Sequence, residues 1–399
     1  MLLVLQRAPK QETALRKLLD QQQTKSSPNF HKWLTPEQFG EQFGPADADI
    51  QAVTDWLTTQ GFEVNRVAAG RTVIEFSGTA GLLRQALHTE IHKYVVNGEE
   101  HWANASDPQI PAALAPVVAG IASLHNFRRK PSYHPVGTFE RSKATGRVRP
   151  LFTYSQNGFT AYAVGPGDFA TIYNIGPLWT QGIDGTGQSI AVVAQSNINP
   201  QDVADFRQMF GLPAARSTNP NIILNGSDPG VLASDESEAA LDTEWSGAVA
   251  KGATINLVVS ESTESSAGVD LSALYIVDNN LAPVLGDSYL GCEVDLQAGG
   301  DAFYNALWEQ AAAQGITVSV ASGDNGSAAC DGGGTPPPIA AQGGLAVSGL
   351  ASTPFNVAVG GTDFDQLNNF SLYWNATNNS TSQASAKGYI PEIPWDDSL

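Results

Sequence analysis

From residue 166 onward, short apolar runs alternate with stretches whose apolar residues recur at helical spacing, and that alternation leaves few architectures open. The runs at 189–193, 254–259, 283–285, 316–320 and 355–359 read as strands, and 200–210, 236–250, 271–279 and 301–313 as helices. Parallel neighbours need a crossover connection, usually a helix. The order strand, helix, strand therefore predicts an α/β fold, a mostly parallel sheet with helices on both faces. In such sheets reactive groups gather at the carboxyl ends of the strands.

The first 127 residues read as a small α+β domain. Thr35 is placed to cap a helix with Pro36 at its first position, and 46–60 carries Ile50, Val53, Trp56 and Leu57 at helical spacing before Gly61 stops it. Strands are expected at 62–67, 72–76 and 91–96, with a helix at 81–87. The apolar start Met1-Leu2-Leu3-Val4-Leu5 is shorter than a signal core and reads as a first strand, and a signal peptide is expected upstream because Cys292 and Cys330 suit an oxidising compartment as one bridge. No apolar run approaches the roughly 18–20 residues of a membrane span. Periodicity fails over 128–165, where Arg128, Arg129, Lys130, Arg141, Lys143, Arg147 and Arg149 lie among prolines, glycines and serines. This is a linker with a processing site, or else an ordinary solvated connection. Residues 166–399 form the second domain.

Charge separates the two bodies. Residues 1–150 hold 17 Lys and Arg against 14 Asp and Glu, net +3, and residues 151–399 hold 4 against 26, net −22. The acidic total argues against nucleic acid or an anionic membrane as the main partner. All six histidines (His31, His88, His92, His101, His125, His134) lie in the first body, so no Ser-His-Asp or Cys-His centre can form within the second. Acid-base chemistry there has to run on carboxylates.

Glu238 and Asp242 lie four apart in the helical stretch Glu236-Ser237-Glu238-Ala239-Ala240-Leu241-Asp242, hence on one face. Like charges at that spacing raise each other's pKa, so such a pair shares a proton in mild acid. The plain alternative is a solvated acidic face or part of a cation site. Asp324, directly after an apolar strand, is by itself a turn residue of Asp324-Asn325-Gly326, but a neutral carboxylic acid there can also donate to an oxyanion. Cys292 and Cys330 belong near the same sheet edge. A disulfide is preferred over two buried thiols, and a nucleophilic cysteine is disfavoured without histidine. The glycines of Gly182-Ile183-Asp184-Gly185-Thr186-Gly187 precede a strand instead of opening a helix, which makes a surface turn and not a phosphate loop.

Taken in order, Phe30-His31-Lys32-Trp33-Leu34-Thr35-Pro36, Phe76-Ser77-Gly78-Thr79, Val118-Ala119-Gly120-Ile121, Glu238-Ala239-Ala240-Leu241-Asp242, Ser288-Tyr289-Leu290-Gly291-Cys292, Ala321-Ser322-Gly323-Asp324 and Val359-Gly360-Gly361-Thr362 resemble the sedolisin family of serine-carboxyl peptidases with a kumamolisin-type activation propeptide. The resemblance covers almost the whole chain. It implies a subtilisin-like fold, with Glu238 as general base, Asp242 as its orienting partner and Asp324 at the oxyanion. The family's Ser-Gly-Thr-Ser nucleophile motif does not occur after Asp324, and Ser77-Gly78-Thr79-Ala80 lies in the wrong domain with alanine where the serine belongs. The nucleophile and the calcium site typical of the family are therefore expected beyond Leu399. Ala194 stands near where some members place an extra glutamate.

The expectation is a secreted, acid-acting endopeptidase made as a zymogen, monomeric, cutting protein and peptide substrates and inhibited by its own propeptide. An inactive relative, or a noncatalytic secreted calcium-binding or adhesion module, is the alternative. Acid is expected to loosen the propeptide as docking carboxylates take up protons and the histidines become charged.

Overall fold

A computed structural model of the chain describes residues 1–96, 98–131, 139–141, 148–150, 153–156, 159–162, 164–214, 220–331, 342–365 and 369–394. Its N-terminal part is built from β1 (Leu2–Leu5), α1 (Pro9–Gln23), α2 (Pro36–Phe43), α3 (Asp47–Thr59), β2 (Glu63–Val67), β3 (Val73–Ser77), α4 (Ala80–Ala86), the hairpin β4 (Ile91–Val96) and β5 (Glu99–Asn104), and β6 (Val118–Ile121). The sheet β2-β3-β1-β6 is antiparallel. β1 is apolar at every position because both its faces are covered. Leu3 and Leu5 pack with Val53, Leu57 and Phe76, while Leu2 and Val4 pack against residues of the second body. Thr35 caps α2 as expected, its hydroxyl accepting from the Gln38 amide while the Gln38 side chain accepts from the Thr35 amide. The sequence reading did not find α1, a polar helix that buries only Leu15 and Gln22.

After the two-residue strand β7 (Lys130–Pro131) come two hairpins, β8 (Phe139–Arg141) with β9 (Val148–Pro150) and β10 (Thr153–Gln156) with β11 (Phe159–Tyr162). Within the expected processing stretch, 128–165, residues 132–138, 142–147, 151–152, 157–158 and 163 lie outside the described residues.

The second body follows as α5 (Pro166–Ile172), α6 (Gly176–Thr180), β12 (Ser189–Ala194), α7 (Pro200–Met209), β13 (Asn221–Leu224), α8 (Glu236–Val249), β14 (Thr254–Val259), α9 (Gly268–Asp278), β15 (Val284–Asp287), β16 (Tyr289–Leu290), α10 (Glu293–Ala313), β17 (Thr317–Ala321) and β18 (Val357–Val359). Six strands in the order β13-β14-β12-β15-β17-β18 form a wholly parallel sheet. α7 and α8 supply the apolar side chains for one face, with Val203 and Ala239 against Val192, Ile255, Leu257 and Val259. α9 and α10 cover the other. This is the α/β architecture read from the alternation of elements.

α10 begins eight residues before the stretch 301–313 that reads as helical, and Gln297 at φ 55° interrupts it. Gly299 and Gly300 hide this part from periodicity. They are there because β6 lies against α10: a Cβ on Gly299 would come within 2.1 Å of the Ile121 carbonyl oxygen, and one on Gly120 within 3.2 Å of the Gly299 Cα. The glycines at 182–187 form the expected turn into β12, with Asp184 accepting from the Thr186 amide at 2.9 Å.

Candidate active site

α8 places Glu238 and Asp242 one turn apart, above the carboxyl ends of β12, β15 and β17. Glu238 is buried, and both its Oε2 and Asp242 Oδ2 are shielded from solvent with no hydrogen-bond partner among the described residues. Burial pushes the Glu238 carboxyl up to about 8, with Asp242, Asp324 and Asp235 adding their repulsion. Burial likewise raises Asp242 to about 7, opposed by Ser288, whose hydroxyl donates to Asp242 Oδ1 at 2.7 Å. Asp324 follows β17 and is half-buried. The structure thus brings the three sequence-predicted carboxylates into one electrostatic neighbourhood, at the strand ends where a parallel sheet gathers its chemistry.

Several residues at the site escaped the sequence reading. Asp287 ends β15, is 2% exposed, and is raised to about 7 by burial, against the Tyr289 amide that donates to it at 3.1 Å. Ser288 sits inside the Ser288–Cys292 motif, yet a serine at a strand end has no periodic signal of its own. Gln195, just past β12, donates through Nε2 to Asp235 Oδ1 at 2.7 Å and to the Arg129 carbonyl at 2.9 Å. Beside Asp242 a cleft of about 290 Å³ opens between α8 and the sheet, walled by Leu241, Trp245, Val192, Leu285 and Ser288.

Cys292 and Cys330 are joined in a disulfide with Cα atoms 4.9 Å apart. The bridge ties the start of α10 to the segment just beyond Asp324. Among the described residues no three His, Cys, Asp or Glu side chains converge to hold a cation.

The N-terminal body is fastened to the second through arginines. Arg7 and Arg16 both reach Glu309 on α10, the latter at 3.1 Å. Arg66 meets Asp278 of α9 at 2.7 Å, and Asp278 also accepts from the amides of Ala69 and Gly70 at 3.0 Å.

The family described as "Pro-kumamolisin, activation domain" matches residues 2–127. The chain is similar to Sedolisin of Pseudomonas sp. (strain 101), 29% identical over 395 residues, covering 97% of this chain and 61% of the relative. It is similar to Xanthomonalisin of Xanthomonas sp. (strain T-22), 30% identical over 371 residues, covering 88% and 44% respectively. Kumamolisin of Bacillus sp. (strain MN-32) is 25% identical over 347 residues, covering 86% and 58%. The chain thus spans between 44% and 61% of the length of these relatives. Among solved structures, Pseudomonas sedolisin complexed with pseudo-iodotyrostatin aligns at a TM-score of 0.41 and 27% identity over 56% of this chain and 61% of that one.

Proposed function

Because residues 2–127 match the pro-kumamolisin activation domain and the chain is similar to Sedolisin and Xanthomonalisin, we propose that it belongs to the sedolisin family and is the proenzyme part of a secreted serine-carboxyl endopeptidase working in acid, with Glu238, Asp242 and Asp324 in its centre. A serine outside residues 1–399 attacks the peptide carbonyl carbon and passes its proton to Glu238. The oxyanion accepts a hydrogen bond from protonated Asp324, and the collapsing intermediate expels the amine, which takes the proton back from Glu238. Water then attacks the acyl-enzyme by the same route. Asp242 holds Glu238 in place.

The observation that carries this reading is a buried carboxylate pair facing a third carboxylate, with no cation set against the pair among the described residues. Glu238 has to be ionised to act as a base, and burial holds its carboxyl near 8 while its Oε2 has no hydrogen-bond partner among the described residues. A serine hydroxyl donating to Glu238 lowers that value, as Ser288 already does for Asp242. The resemblance also implies calcium. No step here runs through it.

Before cleavage, residues 1–127 are the activation propeptide and inhibitor, and 128–165 the region to be cut. Acid loosening is not carried by Glu309, whose pKa burial raises despite Arg7, so that it favours docking as pH falls. His125 works in the expected direction. Burial first, then Arg129, lowers the His125 pKa, so its share of stability is present above the unfolded value and lost as pH falls through it. Glu12 is lowered too, burial being outweighed by its hydrogen bonds to Arg16 and Arg7, but these partners lie in its own body, so what is lost as pH falls through the lowered pKa is that body's stability.

The test is peptide hydrolysis by the full-length protein at pH 3–5, with Glu238→Gln, Asp242→Asn and Asp324→Asn compared with wild type. Each variant is expected to lose at least about a hundredfold in kcat. Activity retained in Glu238→Gln would overturn the assignment. A wild-type protein that folds and cuts nothing would point to an inactive relative.

A further inference from the structure

One residue of the connection between the bodies does not lie on the surface. Arg129 is 7% exposed, although a linker arginine has every opportunity to stay in water. Its guanidinium enters the second body and faces Asp270 of α9 with Nε 3.4 Å from Oδ1 and Nη2 3.5 Å from Oδ2, a paired approach of fork to carboxylate. Asp270 is itself buried and is held from its other side by the Tyr304 hydroxyl, which donates to Oδ1 at 2.6 Å. The side chain reaches this chamber across Gly291. A Cβ there would stand 3.2 Å from Arg129 Nη1 and 2.7 Å from Leu350, so the passage is open because residue 291 has no side chain.

The backbone around Arg129 is held just as specifically. Its carbonyl accepts from Gln195 at 2.9 Å, and the next two residues, β7, pair antiparallel with β16: Lys130 opposite Leu290 and Pro131 opposite Tyr289. The residue before Tyr289 is Ser288, which is bonded to Asp242. The strand from Arg129 to Pro131 therefore runs along β16 toward the carboxylate pair, with its backbone added to a strand edge and one side chain in a closed pocket. Peptides are commonly recognised in this way, with main-chain bonds for affinity and a pocket for specificity.

Resting on the peptidase reading above, we infer that the chamber formed by Asp270, Tyr304, Gln195 and Gly291 is an arginine-selective subsite of the peptide-binding cleft, filled by Arg129 in the uncut chain and by an arginine of the substrate afterwards. Pro131 stands opposite Tyr289, beside the site, and Arg129 comes two residues earlier. The arginine of a substrate thus belongs at the third residue, or farther, on the N-terminal side of the bond to be cut. Lysine is the poorer occupant, because a single ammonium cannot face both oxygens of Asp270 at once. A neutral residue leaves a buried carboxylate with no counter-charge.

The experiment uses activated full-length protein and one parent peptide in which arginine, lysine, citrulline or glutamine is scanned through the five residues upstream of the cleaved bond. A single position at the third residue or beyond is expected to favour arginine over citrulline by about tenfold or more in kcat/KM. That ratio should collapse toward one in Asp270→Asn and shrink in Tyr304→Phe, the milder change should the first fail to fold. Folding is checked on the uncut chain by trypsin, which should cut between Arg129 and Lys130 faster in Asp270→Asn than in wild type. Wild-type protein that cuts arginine and glutamine peptides equally at every position overturns the subsite and leaves the peptidase reading standing. Protein that cuts no peptide in any arm overturns both.

Discussion

Two groups of buried carboxylates in this chain differ in what faces them. Glu309 and Asp278, on the helices that meet the N-terminal body, and Asp270, beneath the connection, are all met by arginines: Arg7 and Arg16, Arg66, and Arg129. Glu238, Asp242 and Asp287, gathered at the strand ends, face a serine hydroxyl, a backbone amide and one another. Desolvation acts on both groups, so the difference lies in compensation. An ion pair makes a buried acid a fastening between two bodies. Without one, the acid holds its proton into the neutral range, where it can take part in proton transfer.

The largest expected effect lies on the paired side. Glu309→Ala takes from Arg7, whose side chain is 10% exposed, its counter-charge on α10 and leaves it only the partly exposed Glu12. The expected loss is about 3–5 kcal/mol in urea unfolding of the 399-residue chain, and replacing Arg7 and Glu309 together by methionine should restore most of it. A cost under about 1 kcal/mol for Glu309→Ala would break the comparison, since the fastening would then not depend on the pair.

On the unpaired side the sign reverses. A carboxyl whose folded pKa is raised from 4.5 to about 8 keeps its proton longer in the folded chain. Stability on its account is full below about pH 4.5 and falls as pH rises to about 8. Glu238→Gln should therefore match wild type at pH 4 and exceed it at pH 8.5, by on the order of 2–3 kcal/mol once coupling to Asp242 is allowed for. Equal stability of the two proteins at pH 8.5 would show that Glu238 ionises there without penalty.

How far the sequence reveals each side follows from the same physics. Glu238 and Asp242 stand out because two acids four apart in an alanine-rich helix repel each other unless something needs them there, and the lack of histidine in that body leaves carboxylates as the bases available. The parallel sheet is legible because β12, β14, β15 and β17 are apolar runs separated by helices. β13 is not, since its four residues are only partly covered at the sheet edge, and neither is α1, whose face is polar. The fastening arginines are invisible for another reason. Arg7 and Glu309 are 302 residues apart, and no local pattern records a pair that only the packing of two bodies creates.

The smallest expected effect tests what a neutral donor is worth where an arginine is missing. The Ser288 hydroxyl donates to Asp242 Oδ1 and holds down a pKa that burial pushes to about 7. Ser288→Ala removes that donor, so Asp242 should rise further and ionise at greater cost. The loss should be about 1–2 kcal/mol at pH 8.5, where Asp242 is charged, and smaller at pH 4, where it carries its proton in the folded chain and the bond is between neutral groups. In a double-mutant cycle with Asp242→Asn, the coupling should shrink as pH falls from 8.5 to 4. Coupling that stays level across that range would mean that Asp242 does not titrate there. The contrast between carboxylates met by arginine and those that hold a proton would then rest on Glu238 and Asp287.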